Sequence, residues 1–218
     1  MRAMILAAGR GTRMGELTEV VPKPLLKVNG RYLIEYSLSS LAAIGVQDIV
    51  INVCYQKEMI KQTLGNGERY GVTIHYSEED QALETGGGIF QALPLLGTQP
   101  FIVLSSDVIT DYPLQNLPQE PRGLAHLVVV DNPSYHPKGD FCLQGHRLYY
   151  GEGETFTFAN IGIYRPELFA GCTPGKFRLT ELFQRGIANQ KIDGELYQGY
   201  WYNIGSPDQL ALCEQDSS

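Results

Sequence analysis

The opening stretch RAMILAAGRGTRM places the strongest constraint on what this chain can fold into. Ala3 to Ala7 is an unbroken apolar run, too short to span a membrane and without the alternation of a strand that has one wet face. Such a run reads as a central strand buried on both sides, which requires a covering layer above and below. Gly9, Arg10, Gly11 and Arg13 then break it abruptly, so the chain turns at the strand's carboxyl end. The run is also too short for a secretory leader, and it stops at glycine and arginine instead of a small-residue cleavage site.

The same rhythm repeats downstream. Leu33 to Ile44 carries Leu33, Tyr36, Leu38, Leu41 and Ile44 near helical spacing, with Gly45 as a stop. Val46 to Val53 predicts a strand, Lys57 to Leu64 a helix ending at Gly65, VTIHYS a strand, GGGIFQALPLL a helix and FIVLSSD a strong strand. This alternation predicts parallel pairing through right-handed crossovers. In the second half, GLAHLVVVD and FTFANIGIY read as strands, FCLQGHRLYYG as a hairpin and RLTELFQRGIANQ as an amphipathic helix. ELYQGYWYNIG reads as a strand pair, and Pro207 suits the first position of a last helix. The expectation is an α/β fold with a mostly parallel, Rossmann-like central sheet and helices on both faces. One domain over residues 1–218 would have two halves, dividing near Tyr112 and sharing the sheet.

Composition excludes several classes. A net charge of -7 argues against a general nucleic-acid binder, so any phosphate recognition has to be local. Cys54, Cys142, Cys172 and Cys213 show no CxxC spacing, which removes zinc and redox motifs and predicts reduced thiols in the cytoplasm. No apolar stretch approaches the ~20 residues of a membrane span.

Two motifs carry chemistry. In LAAGRGTRM, small residues let backbone N–H groups approach phosphate oxygens, and Arg13 can add a bidentate clamp. The spacing matches neither the P-loop nor the dinucleotide fingerprint, and taken alone it equally reads as a plain turn. In PKPLL, prolines on both sides restrict the backbone and give Lys23 a fixed direction. A rigidly placed cation suits phosphoryl transfer, where charge develops at a defined point.

The combination LAAGRGTRMGELT, PKPLL, ETGGGI and SSD after a strand closely resembles the sugar-phosphate nucleotidyltransferases, over essentially the whole chain. The resemblance implies a GT-A-like fold that joins a nucleoside triphosphate to a sugar 1-phosphate, releasing pyrophosphate. LETGGGIFQALPLLG, GLAHLVVVDNP, HPKGDF and FANIGIYRPELF are most similar to the family's uridylyltransferases, which implies UTP as donor. Residues up to about 112 would form the nucleotide half and the rest the sugar half. Leu6, Ala8, Gly9, Gly11, Thr12, Arg13 and Ser106 would hold the nucleotide, with Arg13 and Lys23 catalytic. Gly86, Gly87 and Gly88 would lie against the base. Glu84 would meet a substrate hydroxyl or be a surface carboxylate. Gly139, Asp140 and Asn160 would contact the sugar, though each also suits a turn, and Tyr149, Tyr150, Tyr200, Trp201 and Tyr202 would line its pocket or belong to the core.

Asp107, at a strand's carboxyl edge, would hold Mg2+. The family's second metal ligand is an aspartate, whereas WYNIG has Asn203 there. A neutral amide oxygen should weaken the metal site. Two alternatives stay open: the same chemistry on another nucleotide and sugar pair, or a nucleotide-binding homologue with reduced turnover.

Overall fold

The computed structural model describes residues 1–216. Among them, the first half contains β1 (Arg2–Leu6), α1 (Leu17–Val20), β2 (Lys27–Val28), β3 (Arg31–Tyr32), α2 (Leu33–Ala43), β4 (Asp48–Val53), α3 (Lys57–Leu64), β5 (Thr73–Glu78), α4 (Glu84–Leu96), β6 (Phe101–Ser105) and β7 (Val108–Thr110). The second half contains β8 (Ala125–Val130), β9 (Phe141–Gln144), β10 (Arg147–Tyr149), β11 (Thr155–Tyr164), α5 (Leu179–Ala188), β12 (Ile192–Tyr197), β13 (Trp201–Asn203) and α6 (Pro207–Asp216).

The main sheet runs β5-β4-β1-β6-β11-β8-β12-β10-β9. Its first four strands are parallel, as the alternation of strand and helix predicts. β11 then enters antiparallel beside β6, pairing Ile161 with Leu104 and Tyr164 with Phe101. Beyond it only β8 and β12 are parallel, and β9 pairs with β11 as well as β10, closing a ring of five strands. The sheet is therefore mixed, and the expectation of a mostly parallel, Rossmann-like sheet is corrected. From β6 to β11 no α-helix joins successive strands, so nothing enforces parallel pairing there, and the tight hairpin between Gln144 and Arg147 permits only antiparallel pairing. ELYQGYWYNIG is not a strand pair either: β12 joins the main sheet, while β13 pairs with β7.

Helices cover both faces, and the two-residue period of the strands sorts the core. Ala3 and Ile5, Ile49 and Ile51, and Ile102 and Leu104 face Ile34, Leu38 and Leu41 of α2. Met4, Val50, Phe101 and Val103 face the other way, onto Ile89, Ala92 and Leu96 of α4. α5 extends that second layer with Leu179, Leu182, Phe183 and Ile187. Each fully buried side chain of this kind contributes about 1.5–3 kcal/mol. A third cluster, with Met14, Val28, Leu33, Ile109, Ile204 and Cys213, seats α6 under the loop that follows β1.

The four cysteines are free thiols. Among the described residues, no helix is long and apolar enough to cross a membrane.

Candidate active site

Register builds the site. Leu6 pairs with Asn52 on one side and Ser105 on the other, so three strands deliver their carboxyl ends to one line. These residues line a cavity of about 580 Å³ together with the Gly9–Arg13 loop, Lys23, Ser106 and Asp107. Leu6, Ala8, Gly9, Gly11, Thr12, Arg13, Lys23, Glu84, Ser106, Asp107 and Asn160 are all in that wall.

The two motifs pack on each other. Gly11 has φ 67°, and a Cβ there would lie 3.1 Å from both Lys23 Cβ and Thr18 Cγ2. The glycine thus permits the loop to rest on the Pro-Lys-Pro segment, and Thr18 Oγ1 locks it by donating to Gly11 O at 3.0 Å. At Gly9 a Cβ would meet nothing within 4 Å, so this position borders open space. Pro22 precedes a single helical turn over Lys23–Leu25 closed by Leu25 N donating to Pro22 O at 2.8 Å. Lys23 is mostly buried and donates Nζ to Asp107 Oδ2. Sequence reasoning gave these two side chains separate partners; across the site they neutralise each other. Asp107 follows Ser106, whose N–H donates to Leu6 O at 3.0 Å.

Asn52 and Glu79 were not expected. They are 3% and 2% exposed, yet both line the cavity. Asn52 Oδ1 accepts the Ala7 N–H at 2.9 Å, its Nδ2 donates to Glu79 Oε1 at 2.7 Å, and Glu79 Oε2 accepts the Leu83 N–H at 2.9 Å. The signal available in the sequence was an asparagine inside the apolar run DIVINV, at the strand end that faces ligands.

Gly86, Gly87 and Gly88 do not line the cavity. A Cβ would lie 2.6 Å from the Phe177 ring at Gly86, 2.3 Å from Gly175 O at Gly87 and 2.6 Å from Glu79 Oε1 at Gly88. Their smallness lets the first turn of α4 approach the 175–178 loop and leaves room for the Asn52–Glu79 pair. Glu84, at φ 60°, points Oε1 toward Lys176 Nζ at 3.6 Å.

A second cavity, of about 340 Å³, meets the first at Arg13 and Asn160. Tyr135, Phe141, Phe158, Phe183 and Trp201 supply its aromatic wall, with Thr157, Thr180 and Asn203 as polar neighbours. Asn160 sits at φ 58° where β11 loses register against β8, and the irregularity turns it into both cavities. Asp140 lines the cavity, but Gly139 stands behind it, at φ 57°, where a Cβ would come 2.6 Å from Asn132 Oδ1. Of the five aromatic candidates only Trp201 is in the wall, its Nε1 donating to Ala159 O at 3.0 Å. Tyr200 and Tyr202 meet in a tilted ring pair, centroids 5.0 Å apart, beside the third core cluster. Burial pushes the Tyr135 phenol up, Asp107 adding to the rise and Arg13 opposing it, so Tyr135 feels the charges at the seam.

A divalent metal fits this seam in part. Asp107 Oδ1 and Asn203 Oδ1 are both buried without a hydrogen-bond partner, and Asn203 pairs with Val108 next to Asp107. Ile204 N donates to Asp107 O at 2.8 Å, tying the two strands together there. Two unspent oxygens suit a hard cation, but one carboxylate supplies the charge. Among the described residues no group of three or more acidic, histidine or cysteine side chains could hold a metal unaided, so phosphate oxygens would have to complete the shell.

Comparison with known proteins shows the family and the fold. Residues 2–141 match the nucleotidyl transferase family, and the chain belongs to it. It is 43% identical, over 96% of its length and 95% of the relative's, to an N-acetylmuramate alpha-1-phosphate uridylyltransferase from Neisseria meningitidis. A mannose-1-phosphate guanyltransferase from Candida albicans is 32% identical over 95% of this chain but only 62% of its own. The inositol-1-phosphate CTP transferase structure from T. maritima superposes with a TM-score of 0.80 at 18% identity, covering 99% of this chain and 94% of that one, which speaks for the fold.

Proposed function

We propose that the chain transfers a uridylyl group from UTP to N-acetylmuramate α-1-phosphate, giving a UDP-sugar and pyrophosphate. The observation that carries the reaction class is that Arg13 and the Lys23–Asp107 pair line one cavity, with Arg13 also lining the second. The choice of base and sugar rests on the 43% identical relative.

In this reading the first half of the chain binds the nucleotide and the second half the sugar phosphate. The Gly9–Arg13 loop takes the triphosphate on its backbone amides, and Arg13 holds the departing end. Lys23 leaves Asp107 and turns to the α-phosphate, meeting the charge that develops there. The acceptor phosphate oxygen forms the new bond to the α-phosphorus as the bond to the β-phosphate oxygen breaks, and the electron pair leaves with pyrophosphate. Alignment by two adjoining cavities replaces any covalent intermediate. Asp107 and Asn203 would hold magnesium, which when bound supplies neutralisation of phosphate charge. The Asn52–Glu79 pair adds fixed polar groups to the wall of the nucleotide cavity.

Pyrophosphate release tests this, with UTP, GTP and dTTP offered against N-acetylmuramate, glucose and mannose 1-phosphates in magnesium. UTP with the muramate acceptor should exceed every other pair in kcat/KM. Preference for GTP with mannose 1-phosphate would overturn the substrate assignment, and UTP binding without pyrophosphate release would overturn the enzyme reading.

A further inference from the structure

The second cavity is lined by three titratable or charged side chains, Arg13, His136 and Asp140. Arg13 stands at the seam with the first cavity. Asp140 is partly exposed, but both its oxygens have partners within the chain: Oδ2 accepts the Phe158 N–H at 2.8 Å, and Oδ1 lies 3.1 Å from His136 Nε2. That leaves the other nitrogen of His136, Nδ1, without a partner among the described residues. A flipped ring would exchange the nitrogens and still leave one uncommitted.

The loop presenting this nitrogen is held in shape. His136 N donates to Pro133 O at 2.8 Å and Gly139 N to His136 O at 3.2 Å, giving two successive turns. Asn132 fastens the loop to β11, donating to Thr155 O at 2.9 Å and accepting from Thr157 Oγ1 at 2.9 Å. Tyr135, the preceding residue, senses Asp107 and Arg13. Tyr135, His136 and Asp140 line the same cavity as Arg13, so in the reading above this loop would flank the acceptor.

A neutral sugar would give that pair nothing ionic to meet. N-acetylmuramate differs from N-acetylglucosamine by an ether-linked lactic acid, so it brings a second anion to the acceptor. Asp140 alone would repel it, but a protonated imidazole between two carboxylates donates to both. We propose that His136 is the specificity-determining residue that reads a carboxylate on the acceptor sugar, with Asp140 positioning its ring. This deepens the sugar-acid reading above and rests on it.

The experiment measures pyrophosphate release from UTP with N-acetylmuramate 1-phosphate and with N-acetylglucosamine 1-phosphate, for wild type, His136→Gln, His136→Arg and Asp140→Asn. Melting temperatures check folding. Wild type should favour the acid. His136→Gln should cut the acid-over-neutral ratio of kcat/KM by about tenfold or more, the range for a lost charge-assisted hydrogen bond, mainly through KM for the acid. His136→Arg should retain most of the ratio, because the cation survives. Asp140→Asn leaves the ring present but loosely held, so its ratio should fall in the same direction and reports even if His136→Gln misfolds. A wild type without acid preference overturns the sugar-acid reading and this inference with it. An acid preference that survives His136→Gln, or survives Asp140→Asn where His136→Gln does not fold, overturns the inference alone.

Discussion

The two cavities that meet at Arg13 are made in different ways. The first is walled largely by the loop after β1 and by residues at the carboxyl ends of the parallel strands, with Arg13 and Lys23 as its cations near Asp107. The second takes its rings from five separate segments, with Tyr135 in a loop, Phe141 on β9, Phe158 on β11, Phe183 on α5 and Trp201 on β13. A cradle of amides has to be nearly contiguous in sequence, because only neighbouring N–H groups converge on one anion. An aromatic wall needs only surface, which any element can bring. Phosphate recognition should therefore respond to single changes in one motif, and sugar recognition should be spread over many positions.

The sharpest way to break this contrast is Lys23→Met. If Lys23 turns to the α-phosphate as proposed, its loss should lower turnover ~10²-fold or more. The structure adds a consequence that the flanking prolines did not suggest. Asp107 would be left unpaired in a site where the two side chains are 18% and 11% exposed, costing about 1–3 kcal/mol of stability. Lys23→Met with Asp107→Asn should recover most of the melting temperature and none of the turnover. Near-normal turnover in Lys23→Met would show that the electrostatic frame lies elsewhere.

Two glycines sharpen the contrast between backbone that binds and backbone that packs. Gly87→Ala puts a Cβ 2.3 Å from the Gly175 carbonyl oxygen and should cost about 1–3 kcal/mol by overpacking. Gly9→Ala meets no protein atom within 4 Å, so it should melt near wild type while raising KM for the triphosphate several-fold. Calorimetry and steady-state kinetics on both variants decide it. If Gly9→Ala loses the stability and Gly87→Ala the affinity, the packing reading of the α4 glycines is wrong.

The same contrast explains what was legible in the sequence. The loop after β1 and the Pro-Lys-Pro turn could be read because each is a local string. Lys23 and Asp107, 84 residues apart, could be named singly but not as a pair. Asn52 and Glu79 escaped because 27 residues separate them, and only the β4–β5 register brings them to one end of the cavity. The strands GLAHLVVVD and FTFANIGIY are apolar almost throughout, so their pattern cannot distinguish a parallel from an antiparallel neighbour once both faces are covered. The four residues between Leu196 and Trp201 look like a hairpin turn, yet Tyr197 ends a strand of the main sheet and Trp201 begins one in another.

The smallest effect tests the seam itself, where Asn203 lines the second cavity and carries a buried oxygen without a hydrogen-bond partner, which the proposed function gives to the metal. Asn203→Asp adds one negative charge at nearly constant volume beside Asp107. Without metal, two carboxylates at the ends of paired strands repel, so the variant should melt lower than wild type in EDTA. Magnesium with UTP should reverse that loss, and the metal concentration for half-maximal rate should fall about tenfold, equivalent to ~1.4 kcal/mol of improved binding. The melting readout needs no turnover, so it separates a ligand that touches the metal from one that merely shapes the sugar pocket. Superimposable magnesium titrations, in melting and in rate, would remove Asn203 from the metal and leave Asp107 as the chain's own contribution there.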